Sequence, residues 1–357
     1  MNRKYITRVA ALALAALMLC VSLASCGPNL VGVSGNELRK YTALKTENYE
    51  ISGSMYAYLF CEIGFAYVSK ITQEELDERG FDENKTLREQ KYDKDRTWYE
   101  YINEYVRSEV ETLILMCEAA TRDGVSLTNE DYAYVNDQLT GMRTRVVLQF
   151  SSDFESYLQE QYFGYVNEED VTKVLLMETL AAKYEAKLTA QIKERMTEER
   201  VEAQVATMTG EKDMTVTRNL GHVLASYYTL DEDQAYEQIK TAKTRWEEQG
   251  KTMEAFEAVW KEYSEDANMI YENLRPGEMV EEIDKWLYAP ERAVGDVGIL
   301  SSEEGCHLLY YISEGDLGYV ADAKKALTEV IADEILAELR ASIKLKVKKN
   351  VMNAIDV

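Results

Sequence analysis

Between Thr97 and Asp123 the apolar positions Tyr99, Ile102, Val106, Val110, Leu113 and Cys117 recur every three or four residues, the spacing of one helical face. Gly124 follows as a stop signal. Thr128 and Asp131 have the spacing of a capping box, which predicts a second helix carrying Tyr132, Val135 and Leu139. Ser152–Phe163 predicts a short helix, and Gly164–Asn167 a turn. A long helix over 168–195 then runs through Val171, Leu175, Leu176, Leu180 and Tyr184. Upstream, residues 49–70 are apolar on most faces and predict a buried helix, while Ile71–Asp95 is dense in charge and predicts a helical turn with a loop. Glu194–Lys212 either continues the long helix or links onward.

The texture then changes. Residues 215–226 alternate in a way that favours a strand. Helices are expected over Asp231–Gln249, Met253–Tyr263 and Met279–Leu287, with a Pro-Gly turn at Pro276-Gly277 and an apolar strand over His307–Ile312. These elements make an α+β unit of about 100 residues. The chain closes with a stripe of Leu327, Ile331, Ile335, Leu339, Ile343 and Val351, which predicts a helix over Ala323–Met352. Arg340, Lys344, Lys346, Lys348 and Lys349 crowd its last turns, where they would complement the helix dipole. A lone amphipathic helix needs a surface to cover. The expected fold class is therefore α+β, mostly α, with the α+β unit inserted between parts of one helical domain. The expected limits are 47–214 completed by 320–357 for the helical domain, and 215–316 for the insert.

The N-terminus reads as an address. Arg3, Lys4 and Arg8 precede an apolar run from Val9 to Leu23, the pattern of a secretory signal. Leu23-Ala24-Ser25-Cys26 resembles the lipobox of bacterial lipoproteins. That resemblance implies removal of residues 1–25, a lipid on the Cys26 thiol and an extracytoplasmic body held on the outer face of the cell membrane by the anchor alone. Residues 26–46 are expected to be a polar tether. Of the five cysteines, Cys61, Cys117 and Cys306 remain once Cys20 leaves and Cys26 is lipidated. Cys61 and Cys117 either pair or sit as two buried thiols.

Charge and composition remove whole classes. With 40 Lys+Arg against 64 Asp+Glu, the net charge of -24 repels phosphate backbones and excludes generic nucleic-acid binding. It also argues against a body held on anionic lipid by basic patches. The two histidines rule out a multi-histidine metal site, and no C-x-x-C, H-E-x-x-H, G-x-S-x-G or phosphate-binding glycine loop occurs. No metal or cofactor is expected. What remains is a pair: His222 on the first strand of the α+β unit and His307 on the last, strands that in a small sheet often lie together at its centre.

Around that pair the sequence resembles the parvulin-type peptidyl-prolyl isomerases. Leu220-Gly221-His222-Val223-Leu224 is similar to the family's first strand. The run Phe256–Asp266, ending Tyr263-Ser264-Glu265-Asp266, is similar to its helix ending in Tyr/Phe-Ser-x-Asp. Gly277-Glu278-Met279-Val280 and Gly305-Cys306-His307-Leu308-Leu309 resemble its Gly-x-Met-Val segment and closing strand, in the right order. With the lipobox and the helical flanks, the chain resembles SurA/PrsA-type foldases. The resemblance implies a site of His222, Asp266, Met279, Ser302 and His307. Met279 and Ile283, the latter where the family has an aromatic, would wall a proline pocket. It implies binding of unfolded secreted chains and isomerisation of their X-Pro bonds. The alternatives are a chaperone with a degenerate parvulin domain, and a binding lipoprotein with no role in folding.

Overall fold

The computed structural model describes residues 33–82 and 84–355. In chain order the elements are α1 Gly35–Leu38, β1 Thr42–Lys45, β2 Glu50–Ser52, α2 Gly53–Val68, α3 Gln73–Glu78, α4 Trp98–Arg122, α5 Asn129–Phe150, α6 Phe154–Gln161, α7 Glu168–Arg195 and α8 Glu198–Thr207. They continue with β3 Val216–Ser226, α9 Glu232–Glu248, α10 Met253–Tyr263, β4 Ile270–Leu274, α11 Glu281–Leu287, β5 Val297–Ser301, β6 Gly305–Leu317, α12 Gly318–Ser342, β7 Lys346–Val347 and α13 Lys349–Met352. The fold is α+β and mostly α. One unit is Met196–Val330. The other joins the described residues up to Arg195 with those from Ile331 onward. This division is wider than 215–316 because α8 precedes β3 in the first unit and β6 runs straight into α12.

The helical unit is built on α2, α4 and α7. Met55, Tyr56, Tyr58, Phe60 and Cys61 bury α2 almost all round, while α4 buries the stripe Ile102, Val106, Val110 and Cys117. Thr97 and Glu100 close a capping box at its start. At its end Gly124 takes φ +77, and the Val125 and Gly124 N–H groups return to the carbonyls of Ala120 and Thr121, a Schellman stop. Buried Asp170 of α7 accepts from Arg39 Nη2 at 2.7 Å and Ser54 Oγ at 2.8 Å, so one carboxylate ties α1, α2 and α7 together. Cys61 and Cys117 are buried free thiols, and burial pushes each up to about 12. No helix among the described residues is long and apolar enough to cross a membrane.

Two expectations at the chain ends need correction, and they share one cause. The span 26–46 is not all tether: α1 and β1 occupy 35–45, with Leu38, Ala43 and Leu44 buried. The C-terminal helix does not reach Met352 but stops at Ser342. Lys346 and Val347 leave it to pair antiparallel with Lys45 and Leu44, forming the sheet β2-β1-β7. Of the basic residues, Arg340 alone lies in the last helical turn, so the dipole account does not hold for Lys344, Lys346, Lys348 and Lys349. Non-local strand pairing outweighs the local helical stripe. Cys26 and the signal residues 1–25 lie outside the described residues.

In the other unit an antiparallel sheet has the order β4-β3-β6-β5. One face sends Val223, Ala225, Cys306 and Leu308 against Ala235, Ile239 and Trp246 of α9 and Phe256 and Val259 of α10. Gly221 lets the Phe256 ring approach: a Cβ there would stand 2.9 Å from the ring's Cε1. The opposite face carries Leu220, Leu309 and Tyr311, covered by Leu274 of β4 and by Ile283 and Leu287 of α11. Helix α11 begins at Glu281, so Met279 lies in the turn ahead of it.

Candidate active site

β3 and β6 are the two central strands, and their register fixes where the histidines fall. His222 is opposite Leu309 and His307 is opposite Leu224, so the rings are diagonal neighbours on one face. His222 Nε2 lies 2.8 Å from His307 Nδ1, with ring centroids 5.1 Å apart. Both are withdrawn from solvent, at 4% and 0% exposure.

Each end of the pair has a partner. Asp266 follows α10 in a loop pinned to β3, where Ser264 Oγ accepts from the N–H groups of Leu224 and Asp266, both at 3.1 Å. That places Asp266 Oδ2 2.5 Å from His222 Nδ1. At the other end Ser302, in the β5–β6 turn, sets its Oγ 2.7 Å from His307 Nε2. Met279 and Ile283 pack in the apolar cluster with Leu309, on the sheet face that carries the histidines. The structure thus joins His222, Asp266, His307 and Ser302 in one hydrogen-bonded line. Met279 and Ile283 lie in the apolar wall.

Sequence reasoning missed Tyr271, whose hydroxyl donates to Asp266 Oδ2 at 2.8 Å. No element is expected over Ala267–Pro276, but Ile270–Leu274 is strand β4, and its register sets Tyr271 opposite Leu220, two residues from His222. The one signal was the short apolar run Met269-Ile270-Tyr271, three residues after Asp266.

The electrostatics give the line a direction. Burial works to raise the Asp266 carboxyl, but hydrogen bonds from His222, the Asn268 N–H and Tyr271 outweigh it and hold the carboxyl below its ordinary value. The ionised carboxylate requires His222 Nδ1 to donate. Burial, then the charge at His222, pushes His307 down to about 4. With both rings neutral, His307 Nδ1–H donates to His222 Nε2 and Ser302 donates to His307 Nε2. No group of His, Cys, Asp and Glu among the described residues could hold a metal ion.

The class defined so far is an α+β sheet unit with a buried, carboxylate-oriented histidine pair, carried by a helical unit. The chain is similar to solved structures of PrsA and of SurA-like chaperones. PrsA from Bacillus subtilis is 19% identical, with TM-score 0.33, over 72% of this chain and 87% of that one. The foldase protein PrsA from Streptococcus pneumoniae is 15% identical, with TM-score 0.26, over 74% and 96%. A SurA-like chaperone structure from Campylobacter jejuni is 12% identical, with TM-score 0.24, over 86% and 98%. No family model matches the chain, and no curated protein matches it by sequence. The functional reading rests on the geometry of the site.

Proposed function

We propose that the protein is an extracytoplasmic foldase, lipid-anchored at Cys26, which catalyses cis–trans isomerisation of X-Pro bonds and holds unfolded secreted chains. The supporting observation is the His222–His307 hydrogen bond, oriented by Asp266 and Ser302 and lying beside the apolar wall of Met279, Ile283 and Leu309. An X-Pro bond must lose amide resonance to rotate, against a barrier of about 20 kcal/mol. No covalent step is needed. The apolar wall would take the proline ring, and the ordered line of polar groups would favour the twisted, less conjugated amide over the planar one. In the helical unit the exposed Val147, Leu148, Phe150 and Phe163 offer apolar surface for extended client segments.

The test uses the chain from Gly27, which keeps every described residue. It is assayed on X-Pro peptides beside His222→Ala, Asp266→Ala and Met279→Ala. Acceleration by the wild type that falls in the variants supports the enzyme. A flat result from a folded protein that still suppresses aggregation of an unfolded client leaves a chaperone with a degenerate site. That second reading draws on Ile283, a smaller wall than an aromatic. Neither activity would leave a binding lipoprotein outside folding.

A further inference from the structure

Helix α12 ends at Ser342, and the lysines beyond it lose the role that helix would have given them. From Leu339 to Ile355 the chain carries Arg340, Lys344, Lys346, Lys348 and Lys349 and no acid, in a protein of net charge -24. The four lysines are exposed, and none forms an ion pair with a described residue. Many lysines elsewhere are paired, as Lys40, Lys173 and Lys261 are with Glu37, Glu169 and Glu257, and these four are set apart by clustering in a stretch that holds no acid. β7 is one of the two edge strands of its sheet, and one lysine there guards against stray pairing. Lys346 serves that purpose, while Lys344, Lys348 and Lys349 lie outside the strand and are not explained by it.

Their place in the fold supplies a reason. β7 runs antiparallel to β1, with Lys346 opposite Lys45, and the Lys348 N–H donates to the Ala43 carbonyl at 2.9 Å. Moving from Lys346 to Lys349 therefore leads back along β1 towards α1, where the chain arrives from residue 33. Glu50, across β1 on the opposite edge strand β2, is already paired with Lys45. Cys26 lies seven residues before Val33, and seven extended residues span at most about 25 Å. A lipid on Cys26 would hold this edge of the helical unit close to the bilayer.

We propose that the basic edge formed by Lys344, Lys346, Lys348 and Lys349 docks on the anionic lipid headgroups of the membrane to which Cys26 is anchored, orienting the helical unit with β7 towards the surface. The proposal rests on the lipid-anchor reading. The anchor supplies the local concentration, the lysines supply attraction, and the acidic remainder of the chain is repelled by the same surface. Attraction and repulsion thus favour one orientation. The net charge argues against a body held by basic patches alone, and the structure adds a local patch at the tether.

The chain beginning at Cys26 is coupled through that thiol to a maleimide-bearing phospholipid; Cys61, Cys117 and Cys306 are buried and do not compete. The vesicles are phosphatidylcholine alone or phosphatidylcholine with phosphatidylglycerol, and acetylation of each lysine is followed by mass spectrometry. The expected result is several-fold slower acetylation of Lys344, Lys346, Lys348 and Lys349 on the anionic vesicles, removed by high salt because attraction decays over roughly 8 Å at physiological ionic strength. Backbone hydrogen exchange over 344–349 should slow in parallel, and not in the combined Lys344→Gln, Lys346→Gln, Lys348→Gln, Lys349→Gln variant. Equal rates on both vesicles, or one slowing shared by every lysine, would overturn the proposal. So would protection by soluble polyphosphate with none from phosphatidylglycerol, which would move the partner to an anionic polymer. Chemical coupling replaces natural lipidation, so an unmodified Cys26 in the native host would sink the anchor reading without touching this result.

Discussion

Tyr271 and His222 share one oxygen of Asp266: Oδ2 accepts from the Tyr271 hydroxyl at 2.8 Å and lies 2.5 Å from His222 Nδ1. The Tyr271 ring also stands edge-on to the His222 ring, with centroids 5.8 Å apart. The hydroxyl thus helps to keep the carboxylate ionised in a half-buried place, and the ring borders the imidazole that the carboxylate orients. Tyr271→Phe keeps the ring and removes the donor. A hydrogen bond to a charged group contributes about 1.5–3 kcal/mol. Its loss should lower kcat/KM on X-Pro peptides by about ten-fold and move the acid limb of the pH profile upward, as Asp266 becomes easier to protonate. Asp266→Asn should cost more, because His222 then loses its anionic partner. An unmoved acid limb in Tyr271→Phe would show that the hydroxyl plays no part in setting the carboxylate.

His307 is expected to stay neutral well below its ordinary titration range. Burial first, and the neighbouring His222 second, push it down to about 4 from 6.5. The unfolded chain therefore takes up a proton near pH 6.5 that the folded chain refuses until about pH 4. The stability this group contributes is whole above pH 6.5 and drains away as pH falls towards 4. With two histidines in the chain, imidazole NMR assigns the titration directly. The His307 ring, identified by its persistence in His222→Gln, should remain neutral at pH 5.5 in the wild type. Urea unfolding should show a shallower loss of stability between pH 6.5 and 4.5 in His307→Gln than in the wild type. A His307 that charges near pH 6.5 in the folded protein would refute the expectation.

What the sequence revealed followed the range of each signal. The helices α4 to α7 were legible because their stripes repeat over many turns and their caps are local, as at Thr128 and Asp131. The alternation of 215–226 and the apolar run His307–Ile312 placed His222 and His307 on strands, and that was enough to bring them to one face. Tyr271 was hidden because β4 is short and Asn273, at φ 54, bends it, so no alternation builds up. β1 and β7 were hidden more deeply. Four residues and two residues carry no period, and they find each other across some 300 positions. Ile343 and Val351 are both buried, yet in two different settings that mimic one helical stripe.

Gly221 is expected to be intolerant of any side chain. A Cβ would come within 2.9 Å of Phe256 Cε1 and 3.1 Å of Cζ, and that ring is fully buried between α9, α10 and the sheet. Overpacking at such a point costs about 1–3 kcal/mol. Gly221→Ala should lower the urea midpoint accordingly, and Phe256→Leu in the same chain should recover part of the loss although each change alone destabilises. Simple additivity of the two changes would mean that they do not meet.

Glu109 on α4 offers a prediction of opposite sign to the usual carboxylate. Burial raises it to about 7, and Lys70 and Arg340 only partly offset that. An acid that is harder to ionise in the folded state is no burden below its ordinary value of 4.5 and becomes one as pH climbs to 7 and beyond, where the unfolded chain releases its proton freely. The side chain is partly exposed, so the cost is on the order of 1 kcal/mol rather than the full shift. Glu109→Gln removes the charge at nearly constant shape. It should raise the thermal midpoint at pH 8 and leave it almost unchanged at pH 4.5. Equal effects at the two pH values would mean that Glu109 acts through packing, and a loss of stability at pH 8 would mean that Lys70 and Arg340 hold its charge more firmly than burial opposes it.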